Sequence, residues 1–199
     1  MDMLSIFPLL SFLLFSLILT VRIIYLRVKG IRVSPGNRRS WYLLLLYPLY
    51  SFLFFIWFYE LLAMASPAIS SIFPDWFTRK LWTNSILDLI GIAVVVMALF
   101  FWALTLIHFK KSLRFGLDQH TAGELITTGV FSYTRNPFFL CVNLFFSGMA
   151  LLHTSFFFLI MALSALISIH FFILKEEKFL RRHYGEVYRD YSAKVRRYF

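Results

Sequence analysis

The stretch Pro137-Phe-Phe-Leu-Cys-Val-Asn-Leu-Phe-Phe-Ser-Gly-Met-Ala-Leu-Leu-His-Thr-Ser-Phe-Phe-Phe-Leu-Ile-Met-Ala-Leu-Ser-Ala-Leu-Ile-Ser-Ile-His-Phe-Phe-Ile-Leu174 runs for 38 residues without a charge. As one helix it would extend about 57 Å, far beyond the roughly 30 Å hydrocarbon core of a bilayer. It therefore divides into two spans, and Leu152-His153-Thr154 divides it evenly. Working outward, uncharged runs at Leu4–Val21, Trp41–Tyr59 and Leu89–Phe109 each approach the twenty or so residues that one crossing needs. The expected fold is an all-α integral membrane protein of five transmembrane helices. Its last two spans form a tight hairpin. Composition agrees: 60% of the 199 residues are hydrophobic and 15% are charged, too few to cover a soluble surface. Arg22, Arg27, Lys29 and Arg32 follow the first run as in a stop-transfer pattern, with no small-residue cleavage site.

Eighteen of the 20 Lys and Arg residues fall in Arg22–Arg39, Lys110–Arg135 and Lys175–Arg197, all on one side of this arrangement. The positive-inside rule makes that side cytoplasmic, with the N-terminus outside and the C-terminus inside. The net charge of +10 then marks a membrane edge, and no nucleic-acid partner is expected. Ala65–Ser85, with Trp76 and Trp82, reads as an outer loop at headgroup level. One domain, 1–199, is expected. Residues 1–85 form a scaffold of two spans and the outer loop; residues 86–199 hold the third span, a polar cytoplasmic segment, the hairpin and a cytoplasmic tail. The lone Cys141 permits no internal disulfide and reads as a small hydrophobe. The five histidines lack ligand-like spacing, so no metal is expected. Glu60 and Asp88, near span ends, receive no role.

Polar residues gather in two places. In the first, Gly129 permits a turn with positive φ, and Pro137 suits the first turn of the fourth span. The N-terminus of that helix is a natural seat for an anionic or carbonyl group, with Arg135 beside it. The plain alternative for Arg135 is a side chain snorkelling to lipid phosphates. The second is the segment that leaves the fifth span as Lys175-Glu176-Glu177. Adjacent helical residues point about 100° apart, so the two carboxylates cannot share one role. One faces a pocket, and the other pairs with Arg181 at i+4 or remains a solvated charge. Solvation is the favoured reading for Glu177. His170, inside the fifth span, reads as a neutral histidine bonded to a neighbouring helix.

With both clusters placed, Glu124-Leu-Ile-Thr-Thr-Gly-Val-Phe-Ser-Tyr-Thr-Arg-Asn-Pro-Phe-Phe139 resembles a signature of the isoprenylcysteine carboxyl methyltransferase family and its phospholipid methyltransferase relatives. Glu176-Glu177, then Tyr184-Gly-Glu-Val-Tyr188 and Tyr191, resembles the family's closing signature. The resemblance covers about 75 residues, Glu124 to Phe199. It implies an S-adenosylmethionine-dependent methyltransferase whose cofactor-binding segments, within residues 86–199, are cytoplasmic. Cofactor contacts would fall on Gly123, Glu124, Leu125, Ile126, Phe131, Asn136, Pro137, Phe138, Phe139 and Glu176, with Arg135 and Glu177 as candidate catalytic residues. Asn136 stands where the family more often has histidine, and Phe131 and Phe139 where it has tyrosine. Phe172 takes the place of the arginine that holds a substrate carboxylate, which argues against an acceptor carboxylate held in that manner. The implied activity is methyl transfer to a lipid-like or small hydrophobic acceptor at the cytoplasmic face, in a prokaryotic inner membrane. Two alternatives stand beside it, an NADPH-dependent sterol-type reductase and a catalytically silent scaffold.

Overall fold

In the computed structural model, residues 3–31, 41–109 and 125–198 are described. They form seven α-helices: α1 (Met3–Val28), α2 (Trp41–Ala65), α3 (Asp75–Thr78), α4 (Ser85–His108), α5 (Pro137–Leu152), α6 (Phe156–Tyr184) and α7 (Glu186–Lys194). Three of them are long and apolar enough to cross a membrane: Leu4–Val28 within α1, then α4 and α6. Ser51–Ala65 of α2 and the whole of α5 are apolar but shorter. Leucine, isoleucine and phenylalanine side chains on α1, α4 and α6 point outward, as expected for a chain whose surroundings are hydrocarbon rather than water. The first helix outlasts its uncharged run, continuing past Arg22 and Arg27 to Val28. The outer loop contains the single helical turn α3.

Local chemistry sets the ends of the site-bearing helices. The Asn84 side chain accepts from the Ile86 and Leu87 amides and starts α4. Ser155 does the same for α6 through Phe158, and Pro137 opens α5. Only His153, Thr154 and Ser155 separate α5 from α6. Glycine lets α4 and α5 approach closely: a Cβ on Gly91 would lie 2.5 Å from the Leu152 amide nitrogen, and one on Gly148 2.8 Å from Val95 Cγ2. Aromatic bulk fills the rest. Trp102 of α4 stacks on Phe15 of α1 at 4.0 Å, and its indole N–H donates to the Phe15 carbonyl at 3.1 Å. Trp57 packs between Phe146, Phe157 and Phe158.

At the loop end, Lys80 pairs with Asp88, and the Leu81 amide donates to the Thr154 carbonyl at 2.7 Å. Glu60 is buried and accepts from Ser71 Oγ at 2.8 Å and from the Ile72 amide at 3.1 Å. Both acids thus serve as anchors for the outer loop. Cys141 is buried, with its sulfur 3.9 Å from Thr105 Oγ1.

Candidate functional site

The opposite end of the bundle holds a denser polar assembly. A 3-10 turn, Gly129–Ser132, leads into α5. Gly129 has φ +66°, the left-handed conformation expected for it, and a Cβ there would collide with the His108 ring at the end of α4. Phe131 is buried edge-on against Phe109 at 5.0 Å, and its carbonyl accepts the Tyr191 hydroxyl at 2.6 Å. Phe138 packs on Trp102 at 4.6 Å, and Phe139 touches Phe172 of α6 at 5.2 Å. Leu125 and Ile126 are half-buried beside the turn. Gly123 and Glu124, also expected to touch cofactor, lie outside the described residues.

The centre of the assembly is Glu177, only 4% exposed. Arg135 donates to its Oε1 from Nε at 3.2 Å and from Nη2 at 2.9 Å. Arg197 donates to Oε1 from Nε at 3.1 Å and to Oε2 from Nη2 at 2.9 Å. Asn136 adds a fifth bond from Nδ2 at 3.3 Å. Burial of a carboxylate this complete demands such pairing. The favoured solvated reading of Glu177 is thus corrected, as is its pairing with Arg181: helix α6 turns this residue inward toward α5 and the tail. The snorkelling alternative for Arg135 falls as well, because its Nη1 is held by the Ser192 and Val195 carbonyls at 2.8 and 2.7 Å.

Those two carbonyls belong to the end of α7 and the residue after it, so the guanidinium fixes the tail. The tail then runs back along the start of α5. Arg196 forms an isolated parallel bridge with Thr134, and its carbonyl accepts the Arg135 amide at 3.0 Å. The Arg197 carbonyl accepts from Thr134 Oγ1 at 3.0 Å and Asn136 Nδ2 at 3.2 Å. Farther on, Tyr198 Oη lies 2.8 Å from His170 Nδ1, so the partner of His170 comes from the tail and not from a neighbouring helix. Nothing in the local sequence marks Arg197 or Tyr198 as part of this assembly; only the return of the tail brings them to it.

Glu176 behaves differently from its neighbour. It is half-buried, and among the described residues it has no hydrogen bond or ion pair. It lies four residues after Phe172, on the same face of α6, one turn beyond the Phe139–Phe172 contact. A half-buried carboxylate one helical turn from an aromatic pair, with Arg135 and Arg197 committed to Glu177, suits a cationic group bearing an ammonium or sulfonium. A separate hollow of about 310 Å³, lined by Arg181, Gly185, Glu186, Arg189, Ser192 and Ala193, involves none of the expected cofactor residues.

Long apolar helices capped by a buried ionic centre define an integral membrane protein with a polar site at one end. The phospholipid methyltransferase family matches residues 85–187, just over half of the chain, and the chain belongs to that family. It is therefore a membrane methyltransferase. No curated protein and no solved structure matches it.

Proposed function

We propose that the chain uses S-adenosylmethionine to methylate a lipid-like or small hydrophobic acceptor at the cytoplasmic face of the membrane. One observation carries this reading: Glu176 is half-buried and unpartnered among the described residues, one turn from an aromatic contact. In this reading Glu176 takes the cofactor's ammonium. Phe131, Phe138 and Phe139 offer apolar faces, while Leu125, Ile126 and Pro137 complete the wall with Gly123 and Glu124. S-adenosylmethionine supplies, when bound, an electrophilic methyl group on a sulfonium centre. Asn136, Arg135 and Glu177 spend their polar side-chain atoms on one another and on the tail. Their proposed part is to position the site. Orientation and exclusion of water then supply the main catalytic effect, which suffices for a carboxylate, thiolate or neutral amine acceptor.

The topology belongs to the same proposal: five spans, with α5 and α6 as the closing hairpin, the N-terminus outside and the C-terminus cytoplasmic in a prokaryotic inner membrane. The Lys and Arg distribution supports it. Residues 1–85 act as scaffold and residues 86–199 as the reacting part of a single domain. Against a reductase, Arg135, the arginine that precedes α5, is taken by Glu177 and the tail carbonyls and so is not open to a 2′-phosphate.

Calorimetric titration of the detergent-purified protein with S-adenosylmethionine, with NADPH in parallel and Glu176→Ala as control, tests the proposal. Micromolar-range binding of S-adenosylmethionine that the variant loses is expected. Binding of NADPH alone would move the chain to the reductases, and silence from both in a folded sample would leave a scaffold.

A further inference from the structure

Tyr188, in α7, is 1% exposed, and among the described residues its hydroxyl has no hydrogen-bond partner. The other two tyrosines that pack into this assembly are satisfied: Tyr191 donates to the Phe131 carbonyl, and Tyr198 is bonded to His170. A hydroxyl stripped of water and left unbonded is a standing cost to the fold, and it is rare in native structures. It persists here beside the ionic centre, within the fields of Glu177, Arg135, Glu176 and Arg181, while its ring leans on Tyr191 at 6.0 Å. Burial, with Glu177 adding to it, pushes the phenol up to about 12, so the group keeps its proton and remains a donor at neutral pH.

A ligand that carries an α-amino acid end brings two charges together. Its ammonium needs a carboxylate, which Glu176 leaves open, and its carboxylate needs a donor. The donors around Glu177 are committed: Arg135 makes four side-chain bonds, Asn136 Nδ2 makes two, and Arg197 gives Nε and Nη2 to Glu177. Arg197 Nη1, on a side chain one-third exposed, is left to solvent; among the described residues of this assembly the phenol is the unspent donor that is fully buried. We propose that the Tyr188 hydroxyl binds the carboxylate of an amino-acid-bearing ligand whose ammonium is held by Glu176. The assignment rests on the S-adenosylmethionine reading of the site and adds to it the residue that distinguishes a ligand with a carboxylate from one without.

The test compares Tyr188→Phe with the unmodified full chain in detergent, titrating S-adenosylmethionine and its decarboxylated analogue, which keeps ammonium and sulfonium. The variant should weaken S-adenosylmethionine about 10- to 150-fold, the range of a single hydrogen bond to a charged group, and leave the analogue unchanged. Its ligand-free melting temperature should equal or exceed that of the unmodified chain, since the lost hydroxyl had no partner. Glu176→Gln should weaken both ligands. Equal weakening of both by Tyr188→Phe, no weakening of either, or a lowered melting temperature would each overturn the assignment alone. An unmodified chain that binds neither ligand would overturn the underlying reading.

Discussion

Glu176 and Glu177 are adjacent and identical in chemistry, yet their replacement by glutamine should give opposite phenotypes. Glu177 receives five hydrogen bonds, from Arg135, Arg197 and Asn136. Glutamine leaves two guanidiniums without a counter-charge and turns an N–H₂ toward one of them. The Arg135 side chain is only 10% exposed, so water cannot replace the lost carboxylate. Removing one partner of a buried ion pair costs about 3–5 kcal/mol. For a chain of this size each kcal/mol moves the melting temperature by about 2–4 °C, which puts Glu177→Gln about 6–20 °C below the unmodified protein. Glu176 has no partner to lose among the described residues, so Glu176→Gln, which removes only an unpaired half-buried charge, should melt no more than about 2 °C below the unmodified protein. Its deficit appears in binding: a charge-assisted bond worth about 1.5–3 kcal/mol corresponds to roughly 10- to 150-fold in Kd for S-adenosylmethionine. Tryptophan fluorescence during heating reads the first effect, through the buried Trp57 and Trp102, and calorimetry reads the second. A Glu177→Gln variant that melts like the parent, or a Glu176→Gln variant that melts low and binds normally, would refute this division of labour.

Four further outcomes are expected. Gly91→Ala forces a methyl against the Leu152 backbone and should lower stability by about 1–3 kcal/mol in the same melting assay. Deleting residues 195–199 removes the Thr134–Arg196 bridge, Arg197 and Tyr198; the helical content should persist by circular dichroism while affinity for S-adenosylmethionine falls at least about tenfold. Because Cys141 is buried, an impermeant maleimide should label Trp76→Cys in intact spheroplasts and Arg189→Cys only after permeabilisation, the reverse pattern sinking the topology. Tyr188 keeps its proton longer folded than unfolded, so the unfolded state binds fewer protons above pH 10. Stability should therefore decline as pH rises from 10 to about 12, and less steeply in Tyr188→Phe.

Much of the helical layout was legible because hydrocarbon demands long apolar runs and punctuation is local. Pro137 opens α5, Gly129 takes its positive φ, and the break after Leu152 falls within the stretch that divides the 38-residue run. The residues expected to touch cofactor were legible only through resemblance to a family. What escaped was long-range. Nothing in the spacing of Glu176 and Glu177 says which one α6 turns toward α5, because that depends on the rotation of a packed helix. Arg197 reads as one more basic residue in a basic tail until the chain doubles back to bring it to Glu177, 20 residues earlier. The unpartnered hydroxyl of Tyr188 likewise leaves no mark in the sequence, since it is defined by what does not surround it in the fold.

The single bridge between Thr134 and Arg196 has a spectroscopic consequence. The Arg135 amide precedes α5 and would exchange with solvent freely were it not donated to the Arg196 carbonyl. Its deuterium uptake therefore clocks the undocking of the tail directly, without contribution from helix fraying. One resolved peptide covering that position would give the free energy of tail docking, and a ligand that binds beneath the tail would slow the clock in proportion to its occupancy.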